Sequence, residues 1–148
     1  MRTLLVKLLA FLGFTSSAVA ADLSPRVGDC WSYASRSGEE ASFLVIRKIE
    51  TLPKVGEVFH VSVFGLKIKS PSAPTGFTDH AGHLPISGLS LRASLKERIQ
   101  RTIPEVDWTE GYNLWRQAYD AGKGGVFTES VSECVRFMEE AINRGKPG

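Results

Sequence analysis

The stretch SFLVIRKIETLPKVGEVFHVSVFGLKIK, residues 42–69, decides the fold of this chain. Its two ends, residues 42–51 and 57–69, are rich in β-branched and aromatic side chains, which favour extended strands. The segment PKVG between them, residues 53–56, has the proline and glycine typical of a turn. The stretch therefore predicts an antiparallel hairpin.

The second strand of this hairpin alternates two sets of side chains, because successive residues of a strand point to opposite faces. Phe59, Val61 and Val63 are predicted to share one face. The opposite face takes the intervening residues Val58, His60, Ser62, Phe64, Leu66 and Ile68. Gly65 is expected to mark a β-bulge, since an isolated glycine inside a strand often does so.

The segments on either side of the hairpin extend this prediction. Upstream, residues 27–34 have apolar side chains at alternating positions, which predicts a first strand and hence a three-stranded meander. Downstream, residues 70–82 are rich in proline, glycine and serine, which predicts the longest irregular loop. Residues 83–87 are expected to form only a short edge segment, because Pro85 cannot donate a backbone hydrogen bond to a central ladder.

The rest of the chain is predicted to be helical. An apolar residue recurs at every fourth position, at Leu91, Leu95 and Ile99, which predicts a helix over residues 88–101. Capping-box patterns begin two further helices, at the pairs Asp107/Glu110 and Ser130/Glu133. Strands followed by helices predict an α+β domain, in which a three-stranded antiparallel meander carries about three helices on one face.

The first 20 residues have the pattern of a secretory signal peptide. Their start is positively charged, residues 8–14 are apolar, and the sequence AVA before residue 21 is a small-x-small cleavage site that ends at Ala20. The apolar run is shorter than the ~18 residues that a membrane span needs. We therefore expect a single small exported domain over residues 21–148, without a membrane span after cleavage, in the periplasm of a bacterium or secreted from it.

The charge balance argues against a nucleic-acid partner. The whole chain has 18 Lys and Arg against 16 Asp and Glu, and two of the basic residues, Arg2 and Lys7, belong to the predicted signal peptide. Their removal leaves 16 residues of each sign, whereas nucleic-acid binding usually shows as clustered basic charge. No cofactor is predicted either, because the sequence has no phosphate-binding or dinucleotide-binding motif.

Cys30 and Cys134 are the two cysteines of the chain. An even count in an exported protein favours a disulfide, because the periplasm and the extracellular space are oxidising. The predicted bridge would join the first strand to the last helix.

The sequence GDCWSYA, residues 28–34, resembles the nucleophile motif Gly-x-Cys-x-x-Tyr-Ala of transglutaminase-like cysteine proteases. The resemblance implies that Cys30 is a nucleophile, that His60 deprotonates it and that Asp79 orients the imidazole. That family places its cysteine at the start of a long helix, whereas this chain is strand-like from residue 42 onward. A disulfide at Cys30 would also remove the nucleophile, so the sequence favours the structural role.

A second candidate lies in the sequence DHAGH, where Asp79, His80 and His83 could bind zinc or copper if His60 joined them. Catalytic zinc sites use three protein ligands and leave one position open. The spacing matches no specific zinc motif, and histidines of this kind are more often ordinary loop residues. His60 alone is expected to be a half-buried strand residue.

An aromatic stripe is the third candidate. Tyr112, Trp115 and Tyr119 share one face of the second predicted helix, and Trp108 lies just before them. Such a stripe can stack on a sugar or contact a partner protein. Such a stripe more often packs against the sheet as part of the core, and the sequence does not show whether this one faces inward or outward.

Together these features favour binding over catalysis, because the common hydrolase and nucleotide-binding signatures are absent from the sequence. We expect a small periplasmic binding protein, with an inhibitor or immunity-type factor for a protein partner as its most concrete form. A cysteine- or metal-dependent hydrolase and a module that binds cell-wall glycan remain the alternatives.

Overall fold

A computed structural model describes residues 24–144, so the predicted signal peptide over residues 1–20 and its cleavage site lie outside the described residues. Within this range the chain forms five strands and three helices. They are β1 (Cys30–Tyr33), β2 (Phe43–Leu52), β3 (Gly56–Lys69), β4 (Phe77–Ser87), α1 (Gly88–Ser94), β5 (Leu95–Ile99), α2 (Trp108–Asp120) and α3 (Val131–Asn143). The strands form one antiparallel sheet in the order β4-β3-β2-β1-β5. The predicted α+β class and the β1-β2-β3 meander are confirmed.

Strand β4 replaces most of the predicted irregular loop. The loop is confined to residues 70–76, and β4 pairs with β3 from Phe77 onward. The prediction of an edge position for Pro85 is confirmed, although the strand is longer than expected. The outer side of β4 exchanges backbone hydrogen bonds with Phe127: the Phe127 amide donates to the Pro85 carbonyl at 3.0 Å, and the Ser87 amide donates to the Phe127 carbonyl at 2.9 Å.

The predicted helix over residues 88–101 is wrong in its second half. Helix α1 ends at Ser94, and Leu95–Ile99 forms β5, which pairs with β1. A spacing of four residues is close to one helical turn, which is why it predicts a helix. In β5 an irregularity in the pairing with β1 turns Leu95 toward the main apolar cluster and Ile99 toward Cys30, on the opposite face of the sheet. Pairing with β1 therefore overrides the helical pattern.

Gly65 produces the predicted bulge, and the bulge changes which residues share a face. Its φ of 76° lies in the left-handed region, and the pairing of β3 with β4 shifts between Phe64 and Ile68. An extra residue reverses the facing of every side chain that follows. Leu66 and Ile68 consequently pack with Phe59, so the face predicted for these two residues is wrong.

The sheet has a core face, which carries Phe59, Val61 and Val63, and a histidine face, which carries His60, Ser62 and Phe64. Helices α1 and α3 cover the core face, where Leu91 and Val131 are fully buried within the main apolar cluster. Helix α2 lies over the histidine face, because its aromatic rings contact His60. The prediction that all helices pack on one face is therefore wrong.

The predicted disulfide between Cys30 and Cys134 is not formed, and both cysteines are free and buried. Cys30 packs with Val45 and Phe64 on the histidine face. Cys134 belongs to the main cluster on the core face. The sheet itself thus separates the two thiols.

Among the described helices, none combines the length and the apolar character needed to cross a bilayer.

Candidate functional site

Three side chains on the histidine face form one hydrogen-bonded chain. Oε1 of Glu50 lies 2.8 Å from Nε2 of His60, and Nδ1 of His60 lies 2.8 Å from Nε2 of His83. An ionised carboxylate can only accept, so Nε2 of His60 donates to Glu50. Nδ1 of His60 then accepts a hydrogen bond from Nε2 of His83. This bonding pattern assigns one neutral tautomer to each imidazole.

The register of two strand pairs brings these residues together. Lys48 pairs with His60 after an irregularity in β2, which turns Glu50 toward the histidine face. In β4, a second irregularity opposite Ser62 lets His83 reach the His60 ring. Sequence reasoning singled out both histidines but missed Glu50, because strand bulges set its position.

Burial determines the protonation state of this chain. Desolvation lowers the pKa of His60, although the Glu50 carboxylate opposes the shift. Desolvation, together with the charge of a protonated His60, lowers the pKa of His83 to about 4. Burial raises the pKa of Glu50, but hydrogen bonds from Tyr112 and His60 outweigh it, so the pKa lies below its usual value. At neutral pH the hydrogen-bonded group of Glu50, His60 and His83 therefore contains one carboxylate and two neutral imidazoles.

Helix α2 is attached to the sheet through this chain. The Tyr112 hydroxyl donates to Oε1 of Glu50 at 2.9 Å, and Nη1 of Arg116 lies 3.4 Å from Oε2 of Glu50. The rings of Tyr112 and Trp115 contact the His60 ring at centroid distances of 4.8 and 4.9 Å. The helix comes this close because Gly111 has no side chain: a Cβ at this position would lie 2.9 Å from Cβ of His83.

Most of the predicted aromatic stripe packs against other residues of the protein and is not free to bind a ligand. Tyr112 and Trp115 pack on the histidines, and the Trp115 indole donates to the Gly125 carbonyl at 2.8 Å. Tyr119 stacks on Trp115 at 5.1 Å. Trp108 differs from the other three, because it lines an open cleft at the N-terminal end of α2.

Within residues 24–144, no hydrogen bond joins Cys30, His60 and Asp79, the residues of the candidate cysteine triad. Cys30 lies in β1 rather than at the start of a helix, and desolvation raises the pKa of its thiol, which disfavours the nucleophilic thiolate. His60 bonds to Glu50 and His83, whereas Asp79 bonds to His80 at 2.9 Å.

The candidate metal ligands likewise form two separate sets of contacts. His80 bonds to Asp79 and stacks on Phe64 at 6.2 Å, whereas His83 bonds to His60. In the described part of the chain, no cluster of three or more His, Cys, Asp or Glu side chains is arranged to hold a metal ion.

The cleft beside Trp108 contains a residue that sequence reasoning missed. The cleft is open to solvent, with a volume of about 550 Å³. Its lining residues come from β2 and from the irregular segment before α2: Arg47, Ile103, Pro104, Glu105, Val106, Asp107 and Trp108. A charged residue at position 47, directly after the apolar run of residues 43–46, was the available signal.

Arg47 is held in place by one hydrogen bond. Its Nε donates to the Ser62 hydroxyl at 2.9 Å, and that hydroxyl donates to the Gly82 carbonyl at 2.7 Å. Ser62 is fully buried, so the hydrogen bond that anchors Arg47 is shielded from solvent at the Ser62 end. No carboxylate of residues 24–144 forms an ion pair with Arg47. Desolvation lowers the pKa of this guanidinium, which nevertheless stays charged at neutral pH.

Comparison of the chain with protein-family models, with curated proteins and with solved structures found no match.

Proposed function

We propose that this protein is a small exported binding protein, and that the cleft between Arg47 and Trp108 is where it contacts a protein partner. One observation carries the proposal: a half-buried, anchored arginine and a tryptophan line the same open cleft. Arginine and tryptophan are the side chains that most often dominate the binding energy of protein interfaces.

The shape of the cleft favours a protein partner over a small molecule. Small-molecule sites generally enclose most of their ligand, whereas this cleft is a broad depression. Its apolar lining from Ile103, Pro104 and Val106 can accept one projecting side chain of a larger surface. An inhibitor or an immunity-type factor that acts in the periplasm is the form of this function that we propose.

The geometry gives less support to the two alternatives. A glycan module needs aromatic faces that are free to stack on sugar rings. Tyr112 and Trp115 instead contact the histidines, and Tyr119 covers Trp115. A cysteine-dependent hydrolase needs an accessible thiolate, whereas Cys30 is 6% exposed and its thiol has a raised pKa.

A capture experiment with matched variants tests the proposal. Residues 21–148 are immobilised and exposed to periplasmic extract, beside Ile103→Glu and the control Leu89→Glu. Ile103 lines the cleft, whereas Leu89 is 84% exposed on α1, so both substitutions place the same charge on the surface. We expect one protein to be retained stoichiometrically by the unmodified chain and by Leu89→Glu, and lost by Ile103→Glu. Retention of background proteins alone, or equal capture by both variants, would overturn the proposal.

A further inference from the structure

We propose that the group bound at this cleft is a carboxylate of an acidic protein segment, held by Arg47 with help from Arg101. The inference rests on the proposed function, because it assigns the chemistry of the partner at the same site.

The charge arrangement of the arginines points to an external anion. Five arginines each form an ion pair with a carboxylate of the described residues: Arg36, Arg92, Arg98, Arg116 and Arg136. Arg47, Arg101 and Arg144 form none within residues 24–144. Arg144 is exposed at the end of α3, whereas Arg47 and Arg101 each line an open cleft. Arg101 donates to the Gln100 carbonyl at 3.1 Å, and its guanidinium lies 5.9 Å from the Phe43 ring centre.

These two arginines lie on neighbouring parts of one surface. Arg101 lines a second open cleft of about 450 Å³, which also includes Cys30 and Arg98. Ile103 belongs to the lining of both clefts, so they meet at this residue. An extended acidic segment that crosses Ile103 would therefore encounter both guanidinium groups.

The anchoring of Arg47 suits it to a carboxylate. Because Nε is bonded to Ser62, the two terminal nitrogens remain to form the paired hydrogen bonds that a carboxylate accepts. The guanidinium is already partly desolvated and fixed in place, so binding requires little further loss of hydration or side-chain entropy. The structure thus provides a preorganised pair of hydrogen-bond donors for a carboxylate.

Two carboxylates in the cleft lining limit what can bind. Asp107 and Glu105 line the same cleft as Arg47. Oδ1 of Asp107 accepts hydrogen bonds from the Thr109 hydroxyl and from the Glu110 amide, so it is fixed at the start of α2. These charges repel a polyanion and favour a ligand whose negative charge is local and flanked by apolar groups. A glutamate or aspartate beside leucine-like side chains has this chemistry.

A peptide titration tests the inference on residues 21–148. The probe is the acetylated, amidated peptide Leu-Glu-Leu-Glu-Leu, and its control replaces both glutamates with glutamine. Nitrogen-resolved NMR follows Nε–H of Arg47, which is hydrogen-bonded to Ser62, and the Trp108 indole. We expect both signals to shift with the glutamate peptide up to about 10 mM, the range of weak single-contact binding. The glutamine peptide should bind at least about tenfold more weakly, the equivalent of one charge-assisted hydrogen bond.

Variants separate the roles of the arginines. Arg47→Gln should weaken binding of the glutamate peptide about tenfold or more. Arg47→Lys, which keeps the charge but not the paired donors, should give an intermediate loss of affinity. Arg101→Gln should have a smaller effect, and the control Arg136→Gln on α3 should have none. The spread of amide signals verifies that each variant is folded. Equal binding of both peptides, no shift of the Arg47 signal, or unchanged binding by Arg47→Gln would overturn the inference.

The same variants distinguish this inference from the proposed function. If a captured partner binds Arg47→Gln as well as the unmodified chain, the carboxylate assignment fails while the binding function stands. If the peptide binds through Arg47 but the extract yields no specific partner, the carboxylate site stands and the proposed function fails.

Discussion

Nδ1 of His60 lies 2.8 Å from Nε2 of His83, and the two ring planes are within 15° of each other. This contact requires one nitrogen to donate and the other to accept, so it is lost when both rings are protonated. The pair also lies between the sheet and α2, where charge is poorly solvated. Stability of the fold is thereby linked to the protonation of two histidines.

The first prediction concerns pH. The pKa of both histidines is lower in the folded protein than the ordinary imidazole value of 6.5, and that of His83 is about 4. The unfolded chain therefore binds more protons between these values, and the free energy of unfolding falls as pH decreases from about 6.5 toward 4. We expect a loss on the order of 2 kcal/mol across this window, measured by urea unfolding.

A restricted pH range isolates the histidines from the acidic groups. Carboxyl groups have ordinary pKa values of 4.5 or below, so measurements between pH 7.5 and 5 report mainly on imidazoles. His83→Gln should flatten the dependence of the free energy of unfolding on pH. His80→Gln should not, because His80 forms no hydrogen bond with Glu50, His60 or His83. Equal slopes for the two variants would contradict the assignment.

The second prediction concerns Glu50, which joins α2 to the buried histidine. Glu50→Gln removes the charge that pairs with Arg116 and weakens the acceptor for Tyr112 and His60. Because hydrogen bonds to charged groups contribute more than neutral ones, we expect a loss of about 2 kcal/mol in the free energy of unfolding. The tryptophan emission, to which Trp115 contributes beside Trp31 and Trp108, should shift to longer wavelength as α2 loosens.

Asp120→Asn is the matched control for Glu50. Asp120 pairs with the same Arg116, but its side chain is 58% exposed. Exposed pairs of this type contribute little, so the change should stay within about 0.5 kcal/mol. A loss as large as that of Glu50→Gln would mean that the charge of Arg116, not the buried network, holds the helix.

The sequence predicted the fold where local pattern and tertiary environment agree. Strands β1, β2 and β3 follow from their side-chain alternation. The pattern failed at Leu95 and Ile99, because pairing with β1 overrides the helical spacing, and an irregularity in that pairing turns the two side chains to opposite faces of the sheet. The faces of Leu66 and Ile68 were inverted because a single bulge reverses all later positions.

The candidate site was only partly predictable for the same reason. His60 and His83 stood out as titratable residues in strand-like surroundings. Their partner Glu50 did not, because it is joined to them by strand registers that contain irregularities. Arg47 stands in the sequence as a charge that ends an apolar run, but its lack of an ion-pair partner is a property of the folded surface alone.

The third prediction concerns Gly111. Replacing glycine by alanine in a helix normally stabilises it by about 1 kcal/mol. Here the new Cβ would lie 2.9 Å from Cβ of His83, so α2 must move away from the sheet. We expect Gly111→Ala to lower the free energy of unfolding by about 1–2 kcal/mol, the usual effect of overpacking. Asn113→Ala, at an exposed position of the same helix, should be neutral or slightly stabilising; a stabilising Gly111→Ala would contradict the observed packing.

The fourth prediction concerns the cysteines, whose separation by the sheet conflicts with the disulfide expected of an exported protein. Desolvation raises the pKa of the Cys30 thiol, and it raises that of Cys134 to about 12. Both thiols should thus resist a thiol reagent in the native protein, and both should react in denaturant without prior reduction. Cys134→Ala should leave one reactive thiol per chain under those conditions, as should Cys30→Ala. If denaturation alone exposes no thiol and a reductant is needed, the chain is bridged, and β1 and α3 must pack differently from the arrangement described.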